Sequence, residues 1–362
     1  MAGMLPLRLG LLFRCPAVSA ALGNAVRTAA TTSRAPVAVV PSQCVTPNKI
    51  HEAYLSSDKI DVESLFLSQE VRELLRDLTS LSLDRVFAKK KTEHHSPVYK
   101  LLTDEQLKKE FHKANRKAMH LVQMPPVMRK RTPCERVLRR DPELQGLETG
   151  PVIFTDISFG YPDRLRPVVV READGTLRTA SWEERERMLL TYFTNPNREM
   201  EIPKMFTEPQ LTSVLDNGRY IYVLDRVCVQ FEPDSEEYLG VTQRVFDHLR
   251  STGKFDVVRS TRHFGPMCLY YAVSQKGDEL MLELLTTDRL EQAVSFVKLL
   301  HLVHPDSKSA QEVNDDSTPW QYIEAYIKWE SQTKPAHELA LDALREHRGN
   351  TSEVQTAKAS NA

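Results

Sequence analysis

Residues 152–188 decide the fold, and they read V-I-F-T-D-I-S-F-G-Y-P-D-R-L-R-P-V-V-V-R-E-A-D-G-T-L-R-T-A-S-W-E-E-R-E-R-M. Three consecutive valines at 168–170 predict a strand. Asp174-Gly175 predicts a two-residue hairpin turn of type I′, because that turn needs positive φ angles and glycine adopts them freely. Residues 176–180 are the predicted return strand. The stretch therefore predicts a β-hairpin.

A helix is predicted to follow the hairpin with almost no loop. Ser181 can cap it, and Glu184 stands three residues later, the spacing of a capping box. Glu183 and Glu184 could be imagined as an acid/base pair, but acidic residues in a first helical turn suit the helix dipole. The hairpin and helix therefore form a folding unit that shows no chemistry of its own.

The first fifty residues have a composition of their own. Residues 1–50 contain no Asp or Glu, and Arg8, Arg14, Arg27 and Arg34 are spaced among Leu, Ala, Ser and Thr. This is the composition of a mitochondrial transit peptide. We therefore expect import into the mitochondrial matrix and removal of a leader that ends before about residue 50. No uncharged apolar run reaches the ~18 residues that a membrane span needs.

Charge is distributed unevenly along the 362 residues, whose formal net charge is −1. Residues 85–140, named here the basic arm, carry 16 Lys and Arg against 5 Asp and Glu. Residues 141–362 carry 24 Lys and Arg against 36 Asp and Glu. Such asymmetry predicts a polyanionic partner for the arm and different contacts for the acidic body.

The basic arm includes a predicted helix that starts at Thr103, forms a capping box with Gln106 and ends near Val122. A charge run is often only a solvated helix face, but one-sided charge over 56 residues also suits RNA phosphates, without base reading. The residues predicted to face RNA are Lys89, Lys90, Lys91, Lys109, Lys113, Arg129, Lys130, Arg131, Arg139 and Arg140.

The predicted fold class is α+β and predominantly helical. A helical and extended segment at 51–150, which contains the basic arm, precedes a small β-hairpin or sheet unit at 151–205. A helical domain at 206–348 follows, for which solenoid-like stacking stays open, and residues 349–362 are predicted to be a disordered tail. Segments 220–231 and 266–274 are left open between helix and strand.

Several helix boundaries in the C-terminal half are predicted from capping signals. Asp234 is expected to cap one helix, with Glu237 at the third position. Asp288 is expected to cap another, paired with Glu291. The last helix is expected at residues 335–347.

Motifs of enzymes and metal sites are absent from the sequence. It contains no G-x-G-x-x-G, no G-x-x-x-x-G-K-[ST] and no G-x-S-x-G. The five cysteines have no close pair, so neither a zinc site nor a disulfide framework is indicated. The residues by themselves therefore give no candidate catalytic, metal or cofactor site.

One short motif suggests an alternative. His304-Pro305-Asp306 ends a predicted helix and precedes another, which resembles the J domain of Hsp70 co-chaperones. Such a domain docks through a markedly basic helix, and the helix before this motif offers only Arg289 and Lys298. Proline also simply ends a helix. A second alternative is a transient RNA-binding translation factor of helical-repeat type.

A longer resemblance extends over about residues 65–345. The matching blocks are F-T-D-I-S at 154–158, V-V-R-E at 169–172, G-T-L-R-T-A-S-W-E-E-R-E-R-M at 175–188, Q-F-E-P-D-S-E-E-Y at 230–238, L-R-S-T at 249–252, V-R-S-T-R-H-F-G at 258–265 and H-P-D-S-K-S-A-Q at 304–311. Their order and spacing resemble the family of mitochondrial small-subunit ribosomal protein number twenty-two. The basic arm resembles it less, so no RNA contact is carried over residue by residue.

The resemblance implies a structural, non-enzymatic subunit of the animal mitochondrial ribosome. It implies contacts with other small-subunit proteins and with small-subunit rRNA, and no cofactor, membrane or small-molecule substrate. The opening stretch is then interpreted as a docking surface. The residues predicted to take part in protein docking are Asp156, Arg164, Arg166 and Trp182.

Overall fold

The computed structural model describes residues 61–88, 96, 99–146, 149–314 and 317–360, which all belong to one compact unit, Ser42–Ala362. The predicted transit peptide and Lys89, Lys90 and Lys91 lie outside the described residues. Within the described ranges no helix is both long and apolar enough to cross a membrane. The α+β, mostly helical class is confirmed, with one small sheet among many helices.

The sheet has four antiparallel strands in the order β1-β4-β3-β2. Its strands are β1 Val137–Arg140, β2 Val152–Thr155, β3 Val168–Arg171 and β4 Thr176–Thr179. The predicted hairpin is confirmed as β3 and β4. The two outer strands were not predicted, because β1 is exposed along its whole length and β2 shows no clear alternation of buried and exposed residues.

The turn between β3 and β4 is not the predicted two-residue type I′ turn. Gly175 N donates to Glu172 O at 3.0 Å, and Glu172 N donates to Thr176 O at 2.9 Å, which closes a three-residue loop. Gly175 has a φ of +84°, whereas Asp174 keeps a negative φ and accepts a hydrogen bond from Thr176 N. A Cβ on Gly175 would lie 2.1 Å from Asp141 O, so this position requires glycine.

The helix behind the sheet is α5, Trp182–Tyr192, and its predicted capping box is confirmed. Ser181 Oγ accepts a hydrogen bond from Glu184 N at 3.3 Å, and Glu184 Oε2 accepts one from Ser181 N at 2.8 Å. Successive strand residues point to opposite faces, so alternate residues of β3 meet this helix. The small core under the sheet consists of Val168, Val170 and Ala180, with Ile153 and Met188 packed against it.

The N-terminal helices are α1 Val62–Leu67, α2 Gln69–Thr79, α3 Leu83–Val86 and α4 Asp104–Leu121. Ser68 caps α2, because its Oγ accepts a hydrogen bond from Val71 N at 3.3 Å. Leu75 and Leu78 of α2 are fully buried. The predicted Thr103–Gln106 capping box of α4 is also confirmed.

The C-terminal half is helical throughout its regular elements. Its helices are α6 Gln210–Asp216, α7 Tyr220–Gln230, α8 Glu236–Thr252, α9 Phe264–Val273, α10 Asp278–Thr286, α11 Leu290–Val303, α12 Lys308–Glu312, α13 Pro319–Trp329 and α14 Lys334–Ser360. The N-terminal helix α2 packs against both α9 and α11. This packing differs from a solenoid, in which each repeat contacts only its neighbours.

The two segments left open between helix and strand are both helical. In α7 the buried residues Tyr220, Val223, Leu224 and Val227 follow the i, i+3, i+4, i+7 spacing of one helix face. In α9 every residue is buried, so no polar face reveals the helical period in the sequence. Burial in the main core outweighs the β propensity of both segments.

Two predicted helix caps are wrong. Ser235, not Asp234, caps α8 by accepting from Tyr238 N at 3.1 Å, because two adjacent residues could both serve as a cap. Asp288 does not cap α11, whose N-cap is Arg289 without a side-chain bond. The Asp288 carboxylate instead accepts a 2.7 Å hydrogen bond from Arg348 Nε, a partner that no local pattern reveals.

The end of the chain also differs from the predicted disordered tail at 349–362. Helix α14 continues to Ser360, well beyond the predicted end at residue 347. Residues 350–360 contain no proline, and Ala, Glu, Gln and Lys among them are good helix formers.

Candidate docking loop and basic surface

A loop between β2 and β3 presents large apolar side chains to solvent. This docking loop, residues 156–166, includes Ile157 at 66% exposure, Phe159 at 105% and Leu165 at 66%. Tyr161 is also exposed. Covering a large exposed apolar side chain with a partner surface lowers the free energy of the system. A cluster of such side chains therefore marks an interaction site.

Arg166 holds the docking loop from inside. Its side chain is only 4% exposed. Nε donates to Asp163 Oδ1 at 2.9 Å, and Nη1 donates to the carbonyl oxygens of Ser158 at 2.7 Å and Asp156 at 3.3 Å. The guanidinium lies 3.8 Å from the ring centroid of Phe193, which follows α5. One buried arginine thus joins both ends of the loop to the helix behind the sheet.

Asp156 shapes the beginning of the same loop. Its Oδ1 accepts hydrogen bonds from Ser158 N at 2.9 Å and from Ser158 Oγ at 2.6 Å. These bonds from Ser158 lower the pKa of the Asp156 carboxyl below its ordinary value. An aspartate that bonds the backbone two residues later forms a local turn. The loop is therefore preorganised at both ends.

Three of the predicted docking residues, Asp156, Arg164 and Arg166, belong to the docking loop, whereas Trp182 is the first residue of α5. Asp156 and Arg166 bond to the loop itself, and Trp182 Nε1 donates to Thr132 O at 2.7 Å. The side chain of Arg164 lies outside what the structure describes. The apolar residues of the loop were missed. In I-S-F-G-Y at 157–161, large apolar residues alternate with small ones, and Pro162 ends the run before a strand can form. This pattern is the signal that could have revealed them.

Three consecutive residues of the basic arm are engaged in ion pairs within the protein. Arg129 Nη2 lies 3.2 Å from Asp61 Oδ1, and Lys130 Nζ lies 2.7 Å from Glu236 Oε2. Arg131 Nη1 lies 2.5 Å from Glu186 Oε1. Their acidic partners lie before α1, in α8 and in α5. The segment 124–132, named here the strap, thus connects the helical body to the sheet unit.

Backbone and side-chain contacts fix the strap further. Arg129 N donates to Glu63 Oε1 at 2.9 Å, and Arg131 N donates to Asp234 O at 3.0 Å. The guanidinium of Arg131 lies 4.9 Å from the ring centroid of Trp182. Of the predicted RNA-facing residues in the strap, the largely buried Arg131 therefore stabilises the fold, whereas Arg129 and Lys130 form ion pairs at the surface.

Other predicted RNA-facing residues remain on the surface. Lys109 and Lys113 are exposed on α4, and Lys113 lies 3.7 Å from Glu110 in an exposed pair. Arg139 and Arg140 are exposed on the edge strand β1, where the side chain of Arg139 is 74% exposed and lies 2.7 Å from Asp141. Exposed pairs of this kind contribute little to stability, so these cations are available to a phosphate.

Most large apolar side chains of helix α4 are exposed to solvent. Leu107 and Phe111 are more than half exposed, whereas Ala118 is fully buried. The helix is thus attached to the body through its C-terminal part. Its N-terminal part presents both apolar and basic side chains to solvent.

The His304-Pro305-Asp306 motif has a structural role in this fold. Helix α11 ends at Val303, directly before it. His304 Nε2 lies 3.0 Å from Ala272 O at the end of α9. The ring of His304 thus bridges two helix ends, and nothing in this arrangement favours a J domain.

The arrangement defines a predominantly helical α+β protein that offers a preorganised apolar loop and exposed cations to macromolecular partners. The sequence model of the family described as Mitochondrial 28S ribosomal protein S22 matches residues 64–305. The chain therefore belongs to this family, as the resemblance of its sequence blocks indicated. The matched part includes the docking loop and the whole basic arm.

Two curated relatives support the assignment. The chain is 40% identical to Small ribosomal subunit protein mS22 of Bos taurus over 296 residues, which cover 82% of each chain. It is 36% identical to Small ribosomal subunit protein mS22 of Mus musculus over 328 residues, which cover 89% of this chain and 91% of the murine protein.

Proposed function

We propose that this chain is a structural component of the small subunit of the mitochondrial ribosome and supports mitochondrial translation from the matrix. The proposal rests above all on membership of the 28S ribosomal protein S22 family over residues 64–305. The acid-free, arginine-spaced composition of residues 1–50 supports import.

We assign the proposed contacts to two different surfaces of the chain. The docking loop contacts neighbouring ribosomal proteins, because Ile157, Phe159 and Leu165 can be covered only by an apolar partner surface. Exposed cations on α4 and β1, among them Arg139 and Arg140, contact rRNA phosphates. The acidic remainder of the body suits basic ribosomal proteins.

We propose no catalytic activity and no cofactor for the chain. The buried Arg259 has structural partners, since it donates to Glu283 at 2.5 Å and to Gln292 at 3.1 Å within the helical core. Burial raises the pKa of the Cys268 thiol, which keeps this sulfur protonated and unreactive. Among the described residues, no three His, Cys, Asp or Glu side chains form a group that could hold a metal ion.

Sedimentation of mitochondrial lysate tests the proposal. We expect the chain to migrate with the small ribosomal subunit in a density gradient and to remain there after a moderate salt wash. A transient translation factor would be lost by the same wash. Migration of most of the chain at the top of the gradient would contradict the proposed function.

A further inference from the structure

A groove opens between α1–α2 and the C-terminal end of α4. Its volume is about 650 Å³. It continues along the start of the strap, at Met124 and Pro126. The floor of the groove is formed by the apolar side chains of Phe66, Leu67, Leu81, Met119, Val122 and Met124.

This groove is a surface feature of binding-pocket size and not a packing defect. A void that holds one water needs only ~10–15 Å³, and ligand pockets span ~300–1,000 Å³. Leu67 is 67% exposed, Met119 is 55% exposed and Leu81 is 40% exposed. Two flexible methionines on the floor, Met119 and Met124, let the surface adapt to a bound side chain.

The charged side chains at the groove are all of one sign. Arg72 and Arg76 are exposed and stand four residues apart on α2, so they project from the same helix face. His120 lies on the opposite side of the groove. Among the described residues that line the groove there is no aspartate or glutamate. The groove therefore presents two arginines that can pair with an anionic group of a binding partner.

We propose that the groove binds an acidic amphipathic helix of a neighbouring protein. The apolar stripe of that helix covers Leu67, Leu81 and Met119, and its flanking carboxylates pair with Arg72 and Arg76. The inference rests on the proposed function, because the neighbour is a protein of the same particle. RNA suits the groove less, because Phe66 is the only Phe, Tyr or Trp among its described lining residues, and this ring is buried and offers no face for base stacking.

Binding of two synthetic peptides to the full chain tests the chemistry of the groove. Both peptides carry one leucine stripe at helical spacing, and they differ only in glutamates or lysines beside that stripe. The glutamate peptide is expected to bind, and Arg72→Glu/Arg76→Glu is expected to weaken its Kd at least tenfold. The variant Arg187→Glu/Arg219→Glu, with the same charge change at two exposed arginines outside the groove, is expected to leave the Kd unchanged.

Two results of this titration would overturn the proposal. One is equal binding of the glutamate and lysine peptides. The other is an unchanged Kd for the Arg72→Glu/Arg76→Glu variant with a melting curve like that of the native chain.

Photo-crosslinking in the particle separates this proposal from the proposed function. A benzophenone amino acid replaces Leu81 in the full chain, and adducts are identified by mass spectrometry in the gradient fraction of the small subunit. The expected adduct is a peptide in which Asp or Glu flank apolar residues three or four positions apart. An RNA adduct, or no adduct, in a chain that still sediments with the subunit overturns the groove proposal alone. A chain that does not sediment with the subunit contradicts the proposed function instead.

Discussion

Arg131 and Glu186 are joined by a 2.5 Å hydrogen bond that ties the strap to the helix behind the sheet. Glu186 also accepts a 3.3 Å bond from Arg198, whose guanidinium pairs with Glu232 at 3.0 Å. These four side chains link the strap, α5 and the segment before α8. A basic run that suggests RNA binding in the sequence therefore has a structural role within the chain.

Replacement of Arg131 by Ala is expected to lower the free energy of unfolding by about 1–3 kcal/mol. The Arg131 side chain is 14% exposed, so its loss leaves the Glu186 carboxylate with less compensation and also removes the contact with Trp182. Urea unfolding followed by circular dichroism measures the difference. The control Arg139→Ala is expected to change stability by less than about 0.5 kcal/mol, because that side chain is 74% exposed. Equal losses in the two variants would contradict a structural role for the strap.

Replacement of Arg166 by Met is expected to open the docking loop while the helical core stays folded. The change removes the hydrogen bonds to Asp163, Ser158 and Asp156 but keeps a side chain of similar length. Chymotrypsin cleavage after Phe159 under native conditions should become at least about tenfold faster, since local opening of the loop costs less free energy in the variant.

The exposed Arg187→Met change on α5 serves as the control for this proteolysis. It should leave the cleavage rate near that of the native chain. If Arg166→Met also left the rate unchanged, the loop would be held by something other than this arginine.

The stability contributed by Glu184 is expected to depend on pH. Hydrogen bonds from Arg178, at 2.8 and 2.9 Å, lower the pKa of Glu184 from its ordinary 4.5 to about 2. Because the folded pKa is depressed, the stabilisation is complete above pH 4.5 and disappears as the pH falls toward 2. Glu184→Gln is therefore expected to cost about 1–2 kcal/mol at pH 7, after allowance for solvent screening, and progressively less below pH 4.5.

Urea midpoints at pH 7, 5, 4 and 3 measure this dependence. Glu183→Gln, in the same helical turn but exposed, is expected to show a smaller loss at pH 7. If the difference in stability between Glu184→Gln and the native chain stayed constant down to pH 3, the ion-pair explanation would be refuted.

Charge reversal of Arg139 and Arg140 is expected to weaken attachment to the small subunit in a salt-dependent way. Each lost phosphate contact removes some counterion release, so the chain should dissociate at lower salt. The plot of the logarithm of the binding constant against the logarithm of the salt concentration should become shallower by about 1–2. Retention in gradients at increasing potassium chloride measures the slope. The control Arg187→Glu/Arg219→Glu has the same charge change outside β1. Identical slopes for both variants would contradict the proposed phosphate contacts of Arg139 and Arg140.

Local sequence signals predicted much of the fold. The capping boxes at Thr103 and Ser181 and the β3–β4 hairpin depend on residues a few positions apart, and all three are confirmed. Asp288 shows the limit of such reasoning. Its partner Arg348 is 60 residues away, so a local cap pattern suggested the wrong role.

The functional surfaces could be predicted less well, because exposure depends on tertiary packing. Phe159 and Arg166 illustrate the difficulty. In an isolated sequence an aromatic residue suggests core and an arginine suggests surface, whereas here Phe159 is exposed and Arg166 is buried. The ion pairs of the strap were hidden for the same reason, since Arg131 lies 55 residues from Glu186.

The number of copies of the chain per small subunit, counted in the gradient fraction after a moderate salt wash, tests the central claim most directly. The comparison is between the native chain and Ile157→Ser/Phe159→Ser, which changes two exposed side chains and should leave the melting temperature nearly unchanged. We predict about one copy of the native chain per subunit and at least about a tenfold loss for the variant, because the apolar contact is removed. A native chain far below one copy per subunit, or a folded variant retained as well as the native chain, would contradict a structural component docked through this loop.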